Sequence, residues 1–194
     1  MLAQLSTPRL TLRPARETDL DALQALWHHA DVRRFLFDNQ AVTRDRAQGV
    51  LDDALGVAER GLGLWMLELR PDGRQVGCIG LLPTMVAQYE PAVTGLVEPV
   101  LALDPAHWHR GYAVEALRSV LDYAFDTLGL DTIAGATDVP NVASRRMLER
   151  VGYRLLSERD GACYRLLTYT ITREGRPGDA PVAPVTPKAE SRDG

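Results

Sequence analysis

A mixed α/β layered domain is what this sequence predicts, and three observations point to it. Apolar residues recur with helix period in some stretches and with strand period, or as short unbroken runs, in others, and the two kinds alternate along the chain. Turn signals at Pro71-Asp72-Gly73 and Asp160-Gly161 each separate two strand-like runs. Of the 194 residues, 45% are apolar and 25% charged, the usual balance of a globular chain, and the length fits one domain or one domain with a tail.

The elements follow in order. Leu10–Arg13 reads as a short strand stopped by Pro14. Asp19 opens a helix-period stretch with Leu20, Leu23, Leu26 and Trp27 on one face. A second helix covers about Arg44 to Arg60, and Leu64–Leu69 with Gln75–Leu82 forms the hairpin around Pro71-Asp72-Gly73. Val93–Leu103 is almost wholly apolar, which predicts a central strand. Ala113–Leu128 is helical, Thr132–Ala136 a strand, and Ala143–Arg150 a short helix stopped by Gly152. Tyr153–Ser157 and Tyr164–Thr172 pair around Asp160-Gly161. From Gly175 onward, four prolines, three glycines and nothing apolar larger than valine cannot bury enough surface to offset ordering entropy. The domain is therefore expected over residues 1–174, with a Pro/Gly-rich flexible tail over 175–194.

Charge and composition exclude several classes. With 22 basic and 26 acidic residues the net charge is -4, which offers nucleic acid no electrostatic footing and is mildly compatible with a cationic substrate. No apolar run approaches the roughly 18–20 residues of a membrane helix, so no membrane partner is expected. The start Met-Leu-Ala-Gln-Leu-Ser lacks the basic and apolar regions of a secretory signal, and a cytoplasmic protein is the expectation. Cys78 and Cys163 form neither a disulfide framework nor a metal spacing. His28-His29 and His107-x-His109 lack carboxylate or cysteine partners at a recognisable spacing, so no metal is expected.

Chemistry concentrates in Asp104-Pro105-Ala106-His107-Trp108-His109-Arg110-Gly111-Tyr112-Ala113-Val114-Glu115-Ala116. A buried strand ends at Leu103, and a loop with one glycine feeds a long helix. Unpaired amides at a helix N-terminus point outward, the helix dipole adds positive potential, and Gly111 permits close backbone approach. Arg110 adds a formal charge, and a diphosphate is the natural ligand of such a loop. About thirty residues on comes Asp138-Val139-Pro140-Asn141-Val142-Ala143-Ser144-Arg145-Arg146-Met147-Leu148-Glu149-Arg150-Val151-Gly152-Tyr153. Together the two stretches resemble the GCN5-related N-acetyltransferase (GNAT) superfamily, in its branch like the ribosomal-protein alanine N-acetyltransferases RimJ and RimL. Trp108 to Ala116 is similar to that branch's Trp-Gly-Lys-Gly-Tyr-Ala-Thr-Glu-Ala, and Asn141, Ser144, Arg146, Glu149, Gly152 and Tyr153 stand where it has Asn-x-x-Ser-x-Arg and Glu-Lys-x-Gly-Phe. The opening Pro8-Arg9-Leu10-Thr11-Leu12-Arg13-Pro14 with Asp19-Leu20 also looks like this branch, so the resemblance covers about residues 7 to 173.

The resemblance implies a mostly antiparallel central sheet with a splayed strand pair that holds acetyl-CoA. It places the pyrophosphate on Trp108, His109, Arg110, Gly111, Tyr112, Ala113 and Val114, and the pantetheine arm beside Leu101, Ala102 and Leu103. An amine then attacks the thioester directly, so positioning supplies much of the rate, with a strand amide near Leu101 stabilising the oxyanion. Asn141 and Ser144 are implied near the thioester sulfur, with Ser144 donating to the departing thiolate, and Arg146 at the nucleotide end. Glu98 stands where relatives often carry a glutamate, as base or amine anchor; the plainer alternatives are a solvent-facing residue or one paired with an arginine. Relatives tend to continue that glutamate with Ile-Gly-Tyr-Trp, whereas here Pro99-Val100-Leu101-Ala102 follow, and Pro99 removes a strand amide.

The acceptor is implied to be a primary amine: a protein N-terminus, or a small molecule such as an amino acid, polyamine or amine antibiotic. A non-catalytic acyl-CoA-binding module is the competing reading. A monomer or a homodimer is compatible with the family. Specificity is expected from the first helices, with Arg33, Arg34 and Phe37 as candidates, and from the Pro83–Val93 connection. Cys78 and Tyr123 read as packing residues.

Overall fold

Two short strands open the chain, β1 (Leu5–Ser6) and β2 (Leu10–Pro14), paired antiparallel. Helices α1 (Leu20–His28), α2 (Ala30–Leu36) and α3 (Arg44–Gly56) follow, then strands β3 (Gly63–Leu69), β4 (Gln75–Pro83) and β5 (Val97–Leu103). Helix α4 (Tyr112–Asp122), strand β6 (Thr132–Asp138), helix α5 (Val142–Arg150) and strands β7 (Arg154–Asp160) and β8 (Arg165–Thr172) complete the fold. The structure is a computed structural model that describes residues 1–176; the remainder of the expected tail lies outside the described residues. Arg176, at the start of that tail, donates to Asp122 at the end of α4 at 2.8 Å and to Asp126 just beyond it at 3.0 Å.

The strands form two antiparallel sheets, β1-β2-β3-β4-β5 and β6-β8-β7. The larger sheet is covered on both faces, which explains its unbroken apolar runs. Trp65, Leu67, Ile79, Leu81 and Leu103 point into one core with Leu117, Val120 and Leu121 of α4. Leu64, Met66, Cys78 and Ala102 point into a second core with Leu23 and Trp27 of α1 and Leu51 of α3. Strand alternation thus splits a single run between two cores.

Four details differ from the sequence expectation. Val93–Leu103 is not one central strand: Pro91–Val93 is a 3₁₀ turn, and β5 begins at Val97 and is the edge of its sheet. The helix expected to Arg60 stops at Gly56, and a separate turn at Ala58–Arg60 ends on left-handed Gly61. The helix expected to Leu128 is regular only to Asp122 and widens into a π turn over Tyr123–Thr127. That turn lets the Tyr123 hydroxyl reach the Gly61 carbonyl at 3.0 Å while its ring packs edge-on to Trp65. Helix α2 has no apolar stripe to announce it; only Val32 is buried, and the His29 ring accepts from the Asp31 amide at its start.

Candidate functional site

Strand parity sets the centre of the site. Asp104 N–H donates to Val76 O at 2.9 Å and Thr84 N–H to Leu96 O at 3.0 Å. With the Ala102↔Cys78 register, the even-numbered residues of β5 therefore bond β4, and the odd-numbered ones turn their N–H and C=O outward. Pro99 occupies one of these outward positions, so its missing amide costs the ladder nothing. On β6 the bonds Val139 N–H to Arg165 O and Arg173 N–H to Asp131 O give the opposite parity: odd residues bond β8, and Ala134 and Ala136 turn outward. β5 lies beside β6, yet the two belong to different sheets. The result is a slot between two unpaired strand edges, in which Leu101 N–H and C=O and Leu103 N–H have no strand partner.

One end of the slot meets the loop into α4. Gly111 adopts φ +81 and His109 φ +58, so the chain turns through the left-handed region twice immediately before the helix. Gly111 and the His109 and Arg110 side chains are exposed, while Tyr112, Ala113 and Val114 are half-buried in the first turn. Trp108 donates its indole N–H to Leu103 O at 2.8 Å, which ties the loop to the end of β5. A groove of about 780 Å³ runs along this helix end, lined by Arg9, Arg110, Arg118 and Arg150 together with Glu115 and Asp122. The four arginines outnumber the two carboxylates, one of which (Glu115) is bonded to Arg9, so the balance suits an anionic ligand at a helix N-terminus.

A clamp unannounced by the sequence holds this loop from β1–β2. Glu115 accepts from Thr7 Oγ1 at 2.5 Å, Arg9 N–H at 2.9 Å and Arg9 Nε at 2.6 Å, and Arg9 Nη1 donates to Arg110 O at 2.9 Å. Burial pushes the Glu115 carboxyl up, but the bonds from Thr7 and Arg9 outweigh it and hold the group below the ordinary carboxylate range. Both Arg9 and Glu115 stand in the quoted motifs, but their pairing across 106 positions leaves no local pattern.

At the α5 end, Asn141 caps the helix, its Oδ1 accepting from Ser144 N–H at 3.2 Å. Ser144 is half-buried in the first turn, and Arg146 is exposed on the outer face. Glu98 fits neither plain alternative: it is 6% exposed, and it accepts from Met85 N–H at 2.9 Å rather than from an arginine. Burial pushes its carboxyl above the ordinary value despite the bonds from Met85 and Thr84. Tyr153 is buried and donates its hydroxyl to Ala134 O at 3.3 Å, and burial, with the Glu98 charge adding to it, pushes its phenol well above the ordinary value.

Two further acidic features border the same region. Burial pushes the Asp138 carboxyl up, and the Asp38 charge adds to it. Glu90, in the β4–β5 connection, accepts from Ser157 Oγ at 2.6 Å and Arg159 Nε at 2.8 Å on β7. The Arg159 guanidinium and the Ser157 hydroxyl hold the Glu90 carboxyl at about 2. This acid clamps the connection to the smaller sheet, and nothing near it in sequence marks it. Among the described residues no group of three or more His, Cys, Asp or Glu is placed to hold a metal ion. No helix is long and apolar enough to cross a membrane among these residues.

Comparison with known proteins agrees with this geometry. Residues 9–154 match the model of the acetyltransferase (GNAT) domain family. The chain is 26% identical over 155 residues to an uncharacterized N-acetyltransferase, YoaA, of Bacillus subtilis (strain 168), covering 79% of this chain and 84% of that protein. The crystal structure of an acetyltransferase from Agrobacterium tumefaciens superposes with a TM-score of 0.74 at 26% identity, over 89% of this chain and 96% of the other. RimL, the ribosomal L7/L12 alpha-N-protein acetyltransferase in complex with coenzyme A, superposes with a TM-score of 0.72 over 88% of this chain and 98% of its own, but at 14% identity it shares the fold alone.

Proposed function

The chain belongs to the GNAT acetyltransferase family, and from that premise we propose that it moves acetyl from acetyl-CoA to a primary amine by direct attack. One observation carries the reading: the Leu101 N–H stands unpaired on the β5 edge, facing a slot whose mouth is the N-terminus of α4. The residues present suit acetyl-CoA. The turn at His109–Gly111 and the basic groove suit its phosphates, and the free edge groups of Leu101 and Leu103 suit its amide-bearing arm. Arg146 lies on the exposed face of α5, where it is available to the nucleotide end.

In the transfer, the amine nitrogen forms a bond to the thioester carbon and the C–S bond breaks. The negative charge on the carbonyl oxygen is met by Leu101 N–H, a fixed donor that needs no reorganisation. Glu98 takes the proton released from the ammonium, or anchors the cation before attack; its raised pKa makes it a better base than an ordinary carboxylate. Ser144 donates to the departing thiolate. A thiol near pKa 8.5 leaves readily and an α-amine near 7.7–8.0 is partly free base, so neither proton demands a strong catalyst.

The acceptor is a protein N-terminal α-amine or a small-molecule amine, and the acids Glu98, Asp38 and Asp138 suit a cation. The Trp108–Ala116 and Asn141–Tyr153 motifs support a place near the RimJ/RimL-like branch. The test is thiol release from acetyl-CoA with peptides bearing free N-termini and with small amines. Stimulation by one class names the acceptor; coenzyme A binding with no transfer to any amine would instead favour a non-catalytic binding module.

A further inference from the structure

We propose that Tyr153 closes the deep end of the β5–β6 slot and so restricts the enzyme to a short acyl group. The inference rests on the acyl-CoA reading of the slot and adds to it the length of chain that fits.

The placement follows from three contacts. The Tyr153 ring is 3% exposed and packs against Gly135, where an added Cβ would stand 3.0 Å from the ring. A side chain at this level of β6 would push the ring aside by a few tenths of an ångström. From there the hydroxyl reaches Ala134 O, one of the outward-facing groups of the β6 edge, so the phenol occupies the slot itself. Tyr153 shares one buried cluster with Val97 and Leu103 of β5 and Ile133 of β6, which sets the phenol against the first half of both strands, Ala134 being the third residue of β6.

The opposite wall supports the same conclusion. Travelling from the α4 end along β5, the outward amides are those of Leu103 and Leu101; the next outward residue is Pro99, which has none. An amide-bearing arm thus finds donors as far as Leu101 and no further. Beyond it come the proline ring and, from β6, the phenol, apolar surfaces that suit a methyl group and offer no hydrogen-bond donor to a further amide. A hydrophobic pocket of this kind discriminates by about 10–200-fold per methylene.

The experiment compares wild type, Tyr153→Phe, Tyr153→Leu and Tyr153→Ala with acetyl-CoA, propionyl-CoA and butyryl-CoA. Dissociation constants come from calorimetry, kcat/KM from thiol release with the best amine, and each variant is checked for a cooperative melt. Wild type is expected to favour acetyl-CoA over butyryl-CoA by at least tenfold in both measures. Tyr153→Phe keeps the ring and is expected to hold that ratio within threefold. Tyr153→Leu and Tyr153→Ala are expected to lower it by tenfold or more, the leucine variant serving where the alanine variant does not fold. An unchanged ratio in a folded leucine or alanine variant that still binds and transfers acetyl overturns the inference and leaves the acetyltransferase reading intact. A wild type that binds none of the three thioesters overturns both.

Discussion

Replacing Glu115 by glutamine probes how the fold prepares the α4 loop proposed to take the phosphates. The carboxylate is the hub that gathers Thr7, the Arg9 amide and the Arg9 guanidinium, and through Arg9 it fixes the Arg110 carbonyl one residue before Gly111. Glutamine keeps the shape but removes the charge and turns an NH₂ toward donors. Arg9 is half-exposed, so its ion pair contributes about 1 kcal/mol after solvent screening. Weakening the charge-assisted bonds from Thr7 and the Arg9 amide brings the loss to roughly 2 kcal/mol. For a chain of this size that is about 4–8 °C in melting temperature. Freed from Arg9, the loop at Arg110 and Gly111 loses preorganisation, and the dissociation constant for coenzyme A is expected to rise about tenfold, equivalent to ~1.4 kcal/mol. Calorimetric titration and a thermal melt read both numbers. A lowered melting temperature with unchanged coenzyme A affinity would show that the clamp holds the fold without shaping the loop, and an unchanged melt would refute the clamp altogether. The folded-state pKa of Glu115 is depressed, so its stabilisation is present above the unfolded value near 4.3 and fades as pH falls through the folded value.

Other perturbations read other parts of the site. Glu98 has a raised folded-state pKa, so its contribution is favourable below the unfolded value and is lost as pH rises; Glu98→Gln is expected to melt higher than wild type at pH 7, with the difference vanishing near pH 4. The same variant is expected to lose about 10²–10⁴-fold in kcat/KM, and wild-type turnover would remove Glu98 from the chemistry. Asn141→Ala is expected to melt about 2–4 °C lower through loss of a ~1 kcal/mol cap, whereas Asn141→Asp keeps it; equal melts would deny the cap. Ser144→Ala is expected to slow turnover by less than about 10²-fold at saturating acetyl-CoA, and either wild-type turnover or its complete loss would contradict the role given to the hydroxyl.

Much of the fold was legible because its elements carry local signals. The hairpin around Pro71-Asp72-Gly73 and the short helix before Gly152 stand where turn chemistry and apolar period put them. What escaped depends on partners distant in sequence. The edge position of β5 follows from strand order, to which its apolar run is blind, since both faces of an edge strand can be buried. Helix α2 buries only Val32, so no period marks it. The α4 loop and the Asn141 cap were readable as a glycine before a helix and an asparagine at a helix start. The Arg9–Glu115 and Glu90–Arg159 clamps were not, because each joins residues 69 or more positions apart. Trp108, expected at the pyrophosphate, directs its indole N–H to Leu103 O, a choice that only the path of the loop determines.

Amine-dependent release of thiol from acetyl-CoA, measured for wild type and for Gly111→Trp, tests the central claim most directly. Gly111 holds φ +81 at the start of α4, and a tryptophan there is both strained and set in the mouth of the groove. The account predicts release that depends on an added primary amine in wild type and is lost in the folded variant. Wild-type protein that shows no amine-dependent release, and no rise in melting temperature with coenzyme A, would contradict it.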